Sequence, residues 1–500
     1  MTEMQNQEYH AKATKVRIET RAFIDGKFVA AETGQRFDTL NPATGKVLAS
    51  VESCTAKDIA KAVVAARRAF ESGSWSRMAP RDRKKVLLKF ADLVQQNADE
   101  LALLETLDNG KPISDALNGD LPDAIETLRW HAETADKIYD RISPTGIDVS
   151  SLIVREPIGV VAAVIPWNFP LAITAMKIGP SLAAGNSLII KPAEQTPLTA
   201  LRLAELGAEA GIPAGVLNVT PGDGPNAGQA LGRHMDVDCV SFTGSTDVGR
   251  LFLKYAAESN LKRVTLELGG KSPAIVMGDV KDFRHVAEQV AFGILFAQGE
   301  NCSAGSRLIV HKAAKEQLLA ELKAVFKTWS VGDPLLPDTR IGAMITEAHL
   351  SRVLSFIESG KRDGASLVLG GSRAMPESGG FFLEPTLFDG VTNDMEIARE
   401  EIFGPVLSVI AVADAEEAVR VANDTPYGLA ASLYTDDLNT AHKIARAIRA
   451  GTVSVNCFSE GDQGAPFGGF KQSGFGGREK SLLAHDQYTE VKTIWTQIRE

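Results

Sequence analysis

The sequence has few cysteines, no clustered metal ligands and no long apolar run. Only four of its 500 residues are cysteine, which are too few and too scattered for a disulfide framework. None forms a CxxC pair, and the eight histidines include no HExxH motif, so we expect no metal site. No apolar run reaches the roughly 20 residues of a membrane span, and the polar start, residues 1–20, lacks the apolar centre of a signal peptide. We therefore expect a cytoplasmic protein without a membrane partner.

Acidic residues outnumber basic ones, 63 to 53. The formal net charge is -10 and the sequence pI is about 5.5, which argues against nucleic acid as a partner because binding to phosphates requires a basic face. The length of 500 residues exceeds what a single hydrophobic core usually supports, so we expect two or three domains.

Strand and helix patterns alternate through the middle of the chain. Helical spacing of apolar residues covers 56–110, and a near-continuous apolar run at 158–165 predicts a strand buried on both faces. After it we predict helices at 171–184, 198–210 and 226–232, and strands at 187–191, 216–219 and 239–243. This alternation indicates a doubly wound parallel sheet. A second alternating series from about 274 to 470 indicates a second α/β domain.

The C-terminal residues 488–496 alternate between polar and apolar with a period of two. Because a single amphipathic strand is not stable alone, we expect it to pair with a sheet edge, with another subunit as one candidate for that edge. The sequence therefore favours a homo-oligomer and leaves dimer and tetramer open.

Three residue types point to a covalent mechanism. Cys302 is a lone thiol in Gln298-Gly-Glu-Asn-Cys302, followed by small residues. Glu267 lies in Leu266-Glu-Leu-Gly-Gly-Lys271, and Asn168 follows the predicted buried strand. A thiol nucleophile, an amide donor for an oxyanion and a carboxylate base are the groups that acyl chemistry needs. Taken singly, each motif is also compatible with ordinary turn or strand chemistry.

Seven motifs in order give the chain a specific likeness. From about residue 21 to 495 it resembles the NAD(P)-dependent aldehyde dehydrogenase superfamily. The motifs are Pro166-Trp-Asn-Phe-Pro170, Lys191-Pro-Ala-Glu194, Phe242-Thr-Gly-Ser-Thr246, Leu266-Glu-Leu-Gly-Gly-Lys271, Gln298-Gly-Glu-Asn-Cys302, Glu400-Glu-Ile-Phe-Gly-Pro405 and Pro466-Phe-Gly-Gly-Phe-Lys471. Within the superfamily the chain is most similar to bacterial γ-glutamyl-γ-aminobutyraldehyde and ω-aminoaldehyde dehydrogenases.

The resemblance implies an architecture. It consists of two doubly wound α/β domains and a small β arm for oligomerisation. The NAD-binding domain would comprise residues 20–140 and 160–270, and the catalytic domain residues 271–470. Residues 141–159 and 480–500 would form the oligomerisation strands.

The resemblance also assigns roles to residues. Cys302 would form a thiohemiacetal and then a thioester, Asn168 would stabilise the oxyanion, and Glu267 would activate water. A carboxylate at Glu194 should favour NAD over NADP because it repels a 2′-phosphate. The residues expected at the cofactor are Ile165, Trp167, Lys191, Glu194, Gly224, Gly244, Ser245, Val248, Leu268, Glu401 and Phe403.

The expected substrate-binding residues are aromatic and acidic, which suits an aldehyde with a cationic far end. They are Asp120, Asp123, Trp130, Phe169, Met176, Phe296, Phe458, Glu460, Asp462 and Phe467. The leading substrates are ω-amino-, guanidino- or γ-glutamylamino-butyraldehydes of polyamine and arginine breakdown. Asp120 is equally compatible with an N-cap of the following helix. Met176, which is a tryptophan in some relatives, would also admit an aryl aldehyde such as indole-3-acetaldehyde.

Two further points concern a proton path and other possible enzyme classes. The motif Ser473-Gly-Phe-Gly-Gly-Arg-Glu479 has one glycine more than is common in the family. The sequence therefore leaves open whether Glu479 pairs with Lys177, as its equivalent does in a proton path of some relatives. A cofactor-free cysteine hydrolase is a remote alternative, since it would need a histidine and none lies near these motifs in the sequence. CoA-dependent aldehyde dehydrogenases usually lack a residue equivalent to Glu267, so we do not expect CoA to replace water in this protein.

Overall fold

The computed structural model describes residues 3–499, which contain long helices and many short strands. The strands are β1 Ala22–Ile24, β2 Lys27–Val29, β3 Arg36–Asn41, β4 Lys46–Glu52, β5 Arg141–Ile142, β6 Val149–Pro157, β7 Val160–Val164, β8 Ser187–Lys191, β9 Leu217–Val219, β10 Cys239–Thr243, β11 Arg263–Glu267, β12 Pro273–Val276, β13 Arg307–His311, β14 Ser366–Leu369, β15 Arg373–Ala374, β16 Phe382–Leu383, β17 Thr386–Asp389, β18 Val406–Val412, β19 Ala430–Tyr434, β20 Thr452–Val455, β21 Gly474–Phe475 and β22 Thr489–Gln497.

The helices lie mainly between these strands. They are α1 Glu3–Ala13, α2 Ala56–Ser72, α3 Pro80–Gln96, α4 Ala98–Asn109, α5 Ile113–Asp115, α6 Leu121–Thr134, α7 Pro170–Ala184, α8 Leu198–Ala210, α9 Gln229–Arg233, α10 Thr246–Ala257, α11 Phe283–Leu295, α12 Lys312–Phe326, α13 Glu347–Arg362, α14 Glu396–Arg399, α15 Ala415–Asn423, α16 Leu438–Ala447 and α17 Leu483–Gln487. Across residues 3–499, no helix is both long and apolar enough to cross a membrane.

The first sheet has eight strands in the order β2-β1-β9-β8-β7-β10-β11-β21. Its five strands from β9 to β11 are parallel. Val161 and Ala163 face one apolar core, and Val160 and Ala162 face another, because side chains alternate along a strand. The chain leaves β7 towards β8 and β9 and later resumes at β10 on the other side. The gap between β7 and β10 is therefore a topological switch point, where ligands bind in such sheets.

The second sheet has seven strands in the order β14-β17-β18-β13-β12-β19-β20, and all neighbours except β14 and β17 are parallel. Apolar cores cover both of its faces. Residues 268–272 connect the carboxyl end of β11 to the amino end of β12. The predicted α/β fold with two doubly wound sheets is confirmed, and the domain boundaries stay a prediction.

Most of the predicted elements match the structure. The strands at 187–191 and 239–243 and the helix at 198–210 coincide with β8, β10 and α8. The helix predicted at 226–232 is instead a π-helical turn, Gly224–Gly228, followed by α9. Asp223 begins that turn by accepting a hydrogen bond from the Asn226 N–H at 2.6 Å.

The C-terminal strand pairs within its own chain. β22 runs antiparallel to β6 over nine residues, and β5 completes a three-stranded sheet. Another subunit is therefore not needed to supply the partner of β22, which corrects that part of the expectation. The other edge of β22 has no strand partner within residues 3–499, and most of its side chains are exposed.

Candidate active site

A single cavity of about 650 Å³ contains the three residues that were predicted to do the chemistry. Asn168 reaches it from the loop after β7, Glu267 from the end of β11, and Cys302 from the loop before β13. The three residues are distant in sequence and lie between the carboxyl edge of the first sheet and the amino edge of the second. The cavity can therefore hold one ligand against a thiol, an amide and a carboxyl group.

Cys302 follows a tight turn. Ala297 and Gln298 adopt left-handed backbone conformations, with φ of 49° and 58°, which are unfavourable for residues with a Cβ and recur at functional sites. Burial and the nearby carboxylates of Glu460, Glu401 and Glu267 raise the pKa of the Cys302 thiol well above its ordinary value. The resting thiol is therefore protonated, and it must lose that proton before it can attack.

Asn168 is held by hydrogen bonds on both sides. Its side-chain Nδ2 donates to the Glu300 carbonyl oxygen at 2.9 Å, which leaves one N–H free because an amide has two. Behind it, Asn109 Nδ2 donates to the Trp167 carbonyl oxygen at 2.8 Å. The free N–H of a fixed amide is a suitable donor for an oxyanion in the cavity.

Glu267 is buried, and its Oε2 atom has no hydrogen-bond partner within residues 3–499. Burial first, and then the carboxylate of Glu479, raise the pKa of Glu267 well above its ordinary value. Gly468 lies against it, and a Cβ at that position would overlap the Glu267 carboxyl group. A glycine is therefore required there if Glu267 is to reach the cavity.

Lys177 and Glu479 form a buried ion pair beside Glu267. The extra glycine in residues 473–479 therefore does not separate them, which answers the question that the sequence left open. Glu479 is held by mutual backbone hydrogen bonds with Phe467, at 2.7 and 2.8 Å. Gly476, within the same segment, has a φ of 78°.

The residues expected at the cofactor divide into two groups. Those that line the cavity are Trp167, Gly244, Ser245, Leu268, Glu401 and Phe403. A second group, Lys191, Glu194, Gly224 and Val248, lies outside the lining. Lys191 Nζ is 3.5 Å from the Glu194 carboxylate, which accepts a hydrogen bond from the Gly224 N–H at 2.7 Å. Val248 is exposed on α10. Ile165, also outside the lining, is buried at the end of β7.

This arrangement fits a dinucleotide. Ser245 begins α10 and accepts a hydrogen bond from the Val248 N–H at 3.4 Å, and the N-terminus of a helix attracts phosphate groups. Glu401 accepts from the Gly270 N–H at 2.9 Å, and a Cβ at Gly269 would overlap its carboxylate. The glycines and the helix end together form a cradle that a bulkier sequence would fill.

Sequence reasoning missed His349, which lines the same cavity on α13. Its ring lies 5.3 Å from the Trp167 ring, and its Nε2 is 2.7 Å from the Phe403 carbonyl oxygen. Burial lowers the pKa of His349 to about 4. A histidine is thus present at the site although none is near the motifs in the sequence, and it is engaged with the aromatic residues on the cofactor side. No local pattern around His349 pointed to the site.

Eight of the ten predicted substrate residues line the cavity: Asp120, Asp123, Phe169, Met176, Phe296, Phe458, Glu460 and Phe467. Trp130 and Asp462 do not. Trp130 instead packs edge-to-face on His131, and Asp462 is exposed and accepts a hydrogen bond from the Gly464 N–H. Phe292, Arg352 and Lys480 also line the cavity and were not predicted.

Asp120 is not an N-cap. It has helical dihedral angles, ends a π-helical turn and makes no capping hydrogen bond. Its carboxylate lies 2.5 Å from the Nζ of buried Lys111, which is also 3.2 Å from Glu105. The charge of Asp120 is therefore compensated by a lysine that lies nine residues earlier and that no sequence motif marked.

The comparisons with known proteins agree on one family. The model of the aldehyde dehydrogenase family matches residues 28–494. The aminoacetaldehyde dehydrogenase of Pseudomonas aeruginosa is 55% identical over 496 residues, which cover 99% of each chain.

Solved structures match equally well. The γ-glutamyl-γ-aminobutyraldehyde dehydrogenase of Burkholderia cenocepacia is 52% identical with a TM-score of 0.97, covering 99% of this chain and 100% of the other. A mutant indole-3-acetaldehyde dehydrogenase of P. syringae, in complex with NAD+ and IAA, is 53% identical with a TM-score of 0.97, covering 99% of each chain.

Proposed function

This chain belongs to the aldehyde dehydrogenase family and is an aldehyde dehydrogenase, and we propose that it oxidises a cationic or zwitterionic aldehyde through a covalent adduct on Cys302. The observation that carries this proposal is that Cys302, Asn168 and Glu267 line one cavity together with residues that fit a dinucleotide. The enzyme uses NAD, as its family does. The covalent mechanism and the substrate are the proposed parts.

In the first half-reaction, the Cys302 sulfur attacks the carbonyl carbon of the aldehyde, and the carbonyl oxygen becomes an oxyanion. The free N–H of Asn168 and the backbone N–H of Cys302 stabilise that oxyanion. When NAD is bound, it supplies the acceptor for the hydride that leaves the tetrahedral carbon. A thioester on Cys302 remains.

In the second half-reaction, Glu267 takes a proton from water, and the resulting hydroxide attacks the thioester. The carboxylic acid then leaves and the thiol is restored. Burial and neighbouring carboxylates raise the pKa values of Cys302 and Glu267, which favours the protonated form of each group. Each half-reaction therefore begins with the loss of a proton to solvent, and its rate increases as the pH rises.

Lys191 and Glu194 would bind the adenosine ribose of the cofactor, and Ser245 would approach the pyrophosphate. The carboxylate of Glu194 accepts hydrogen bonds from ribose hydroxyls and repels a 2′-phosphate. We therefore propose that NAD is preferred over NADP.

The substrate class follows from the charges in the cavity. Asp123 and Glu460 line it, whereas Asp120 is neutralised by Lys111. Glu460 accepts a hydrogen bond from the Ser303 hydroxyl, next to Cys302. A substrate with a positive group, such as an ω-amino-, guanidino- or γ-glutamylamino-butyraldehyde, complements these carboxylates.

A second candidate is an aryl acetaldehyde. Phe169 and Phe296 stack with ring centroids 6.0 Å apart, and Phe292, Phe458 and Met176 line the same cavity. An indole ring would pack well among these side chains, and the similar P. syringae protein is an indole-3-acetaldehyde dehydrogenase.

The test measures NADH formation with 4-aminobutanal, 4-guanidinobutanal, hexanal and indole-3-acetaldehyde. We expect a higher kcat/KM for the cationic pair, and a preference that weakens with added salt. The Cys302→Ala variant should form no NADH while it still binds NAD. A preference for hexanal or the indole substrate would refute the cationic assignment, and turnover by Cys302→Ala would refute the covalent mechanism.

We also propose that the enzyme is cytoplasmic and forms a homo-oligomer. The four cysteines are free, as is usual where thiols stay reduced. The open edge of β22 carries exposed Val491 and Trp495, and an unpaired edge with apolar side chains favours pairing with a second copy. Measuring the size of the protein in solution tests the proposed homo-oligomer.

A further inference from the structure

Lys480 is a largely buried side chain whose Nζ has no hydrogen-bond partner within residues 3–499. Its side chain is 6% exposed and lines the cavity. Its Nζ donates no hydrogen bond to any group in residues 3–499, and its nearest acidic neighbour is Asp123 Oδ1 at 3.9 Å. The donors of Lys480 are therefore available to an anionic group of a ligand in the cavity.

Asp123 lies beside Lys480 and is held separately. Gln463 Nε2 donates to Asp123 Oδ1 at 2.7 Å, and about one third of the Asp123 side chain is exposed. At 3.9 Å, Asp123 and Lys480 are too far apart for a direct hydrogen bond. The cavity thus presents a carboxylate and an ammonium side by side, with bonding capacity left on both.

The backbone fixes the position of Lys480. Lys480 and Ser481 both adopt left-handed conformations, with φ of 58° and 52°. Ser481 N–H donates to the Gln463 carbonyl oxygen at 2.8 Å, and the neighbouring Glu479 is joined to Phe467 by two backbone hydrogen bonds. Consecutive strained residues persist only where the surroundings enforce them. The orientation of Lys480 into the cavity is therefore a built feature of the fold.

We propose that Asp123 and Lys480 form a subsite for the zwitterionic end of the substrate, in which Lys480 binds a carboxylate and Asp123 binds the neighbouring ammonium. The preferred substrates are then aldehydes that end in an α-amino acid group, such as γ-glutamyl-γ-aminobutyraldehyde. A simple ω-amine brings only a positive charge, which Asp123 attracts and Lys480 repels. This inference rests on the proposed function and narrows its substrate class.

The experiment compares kcat/KM for three aldehydes: γ-glutamyl-γ-aminobutyraldehyde, 4-aminobutanal and hexanal. Lys480→Gln should lower the value for the zwitterion by about ten- to a hundredfold, as expected for the loss of a hydrogen-bonded charge pair. The value for 4-aminobutanal should stay equal or rise, and that for hexanal should not change. Asp123→Asn should lower kcat/KM for both charged substrates. Lys480→Arg should retain most of the preference for the zwitterion.

The matched control is Lys492→Gln, which removes an exposed lysine on β22 and should change none of the three values. An equal loss for all three aldehydes in Lys480→Gln would overturn the proposal, since it would indicate a general structural role. An unchanged zwitterion value would overturn it too. Failure of the wild-type enzyme to oxidise any of the three aldehydes, or turnover by Cys302→Ala, would instead refute the proposed function.

A second measurement uses only the wild-type enzyme and covers the case in which Lys480→Gln does not fold. The probes are γ-glutamylbutylamide, butylamine and butyrate as inhibitors of hexanal oxidation. The zwitterion should inhibit at least about tenfold more tightly than either singly charged probe, because it fills both positions of the subsite. Equal inhibition by γ-glutamylbutylamide and butylamine would exclude a role for Lys480 in carboxylate binding.

Discussion

Replacing Lys111 with methionine should destabilise the protein strongly. The Nζ of Lys111 lies 3.2 Å from Glu105 and 2.5 Å from Asp120, and all three side chains are almost completely buried. Methionine has a similar volume but no charge, so the two buried carboxyl groups of Glu105 and Asp120 would lose the cation that contacts both. Breaking a buried ion pair from one side costs about 3–5 kcal/mol, and we expect a loss of unfolding free energy in that range.

The loss should depend on pH. Burial raises the pKa of Glu105 to about 8, and Lys111 acts in the opposite direction. A carboxyl group whose pKa is raised by folding stabilises the folded state at low pH and loses that contribution as the pH rises through the folded-state value. Without Lys111, Glu105 and Asp120 retain protons to a higher pH. The deficit of the variant should therefore be smaller at pH 6 than at pH 9.

The same substitution should reduce activity. The ammonium of Lys111 lies 4.3 Å from the centre of the Phe169 ring, and Glu105 accepts a hydrogen bond from the Leu171 N–H at 3.2 Å. Both contacts hold the loop that carries Asn168. A displaced Asn168 would stabilise the oxyanion less well, so kcat should fall even for a neutral aldehyde.

The assay is urea unfolding followed by circular dichroism at pH 6, 7.5 and 9, with Lys492→Met as the control for loss of an exposed lysine. The control should stay within about 0.5 kcal/mol of the wild type. A deficit of Lys111→Met below about 1 kcal/mol, or one that does not change with pH, would refute the assignment of Lys111 as the cation that compensates both carboxylates.

Two further predictions concern the buried side chains of Glu267 and His485. Glu267→Gln should release one NADH per active subunit in a rapid burst and then turn over at least about a hundredfold more slowly. Wild-type steady-state activity should rise with pH through the raised pKa of Glu267, and a full steady-state rate in the variant would exclude Glu267 as the base. The Nε2 atom of His485 lies 3.2 Å from the Nδ1 atom of His131, and burial lowers the pKa of His485 from 6.5 to about 4. His485 therefore stabilises the folded state by up to roughly 3 kcal/mol above pH 6.5, and this contribution is lost as the pH falls towards 4. His485→Gln should flatten the decrease in Tm between pH 7 and 5, and an unchanged slope would contradict this.

The sequence predicted those parts of the site that depend on short segments of the chain. Strands such as β7 and β8 are apolar on both faces, so their positions and the doubly wound arrangement followed from local pattern. Asn168 stands in the loop after the predicted strand at 158–165, at a strand end where ligand-binding loops collect in such sheets. Glu267 ends β11 and Cys302 lies in the loop before β13, and their place at the same site was implied by the family resemblance.

The sequence did not predict which charges compensate each other. By sequence, Asp120 is equally compatible with a helix cap and a substrate contact, and in the structure it pairs with Lys111. Lys177 and Glu479 are 302 residues apart in the chain and still form a buried pair. His349 lines the cavity although no motif lies near it, and Lys480 lines it although the sequence assigned no role to the residue after Glu479.

The amino-acid sequence by itself thus determined the family, the fold class and the chemical groups of the reaction, because these depend on local periodicity and on short motifs. The tertiary structure alone decided the electrostatic partners, since burial and the neighbours across two sheets determine the charge of a side chain. For this protein, that second level decides whether the cavity recognises an amine, an aromatic ring or a zwitterion.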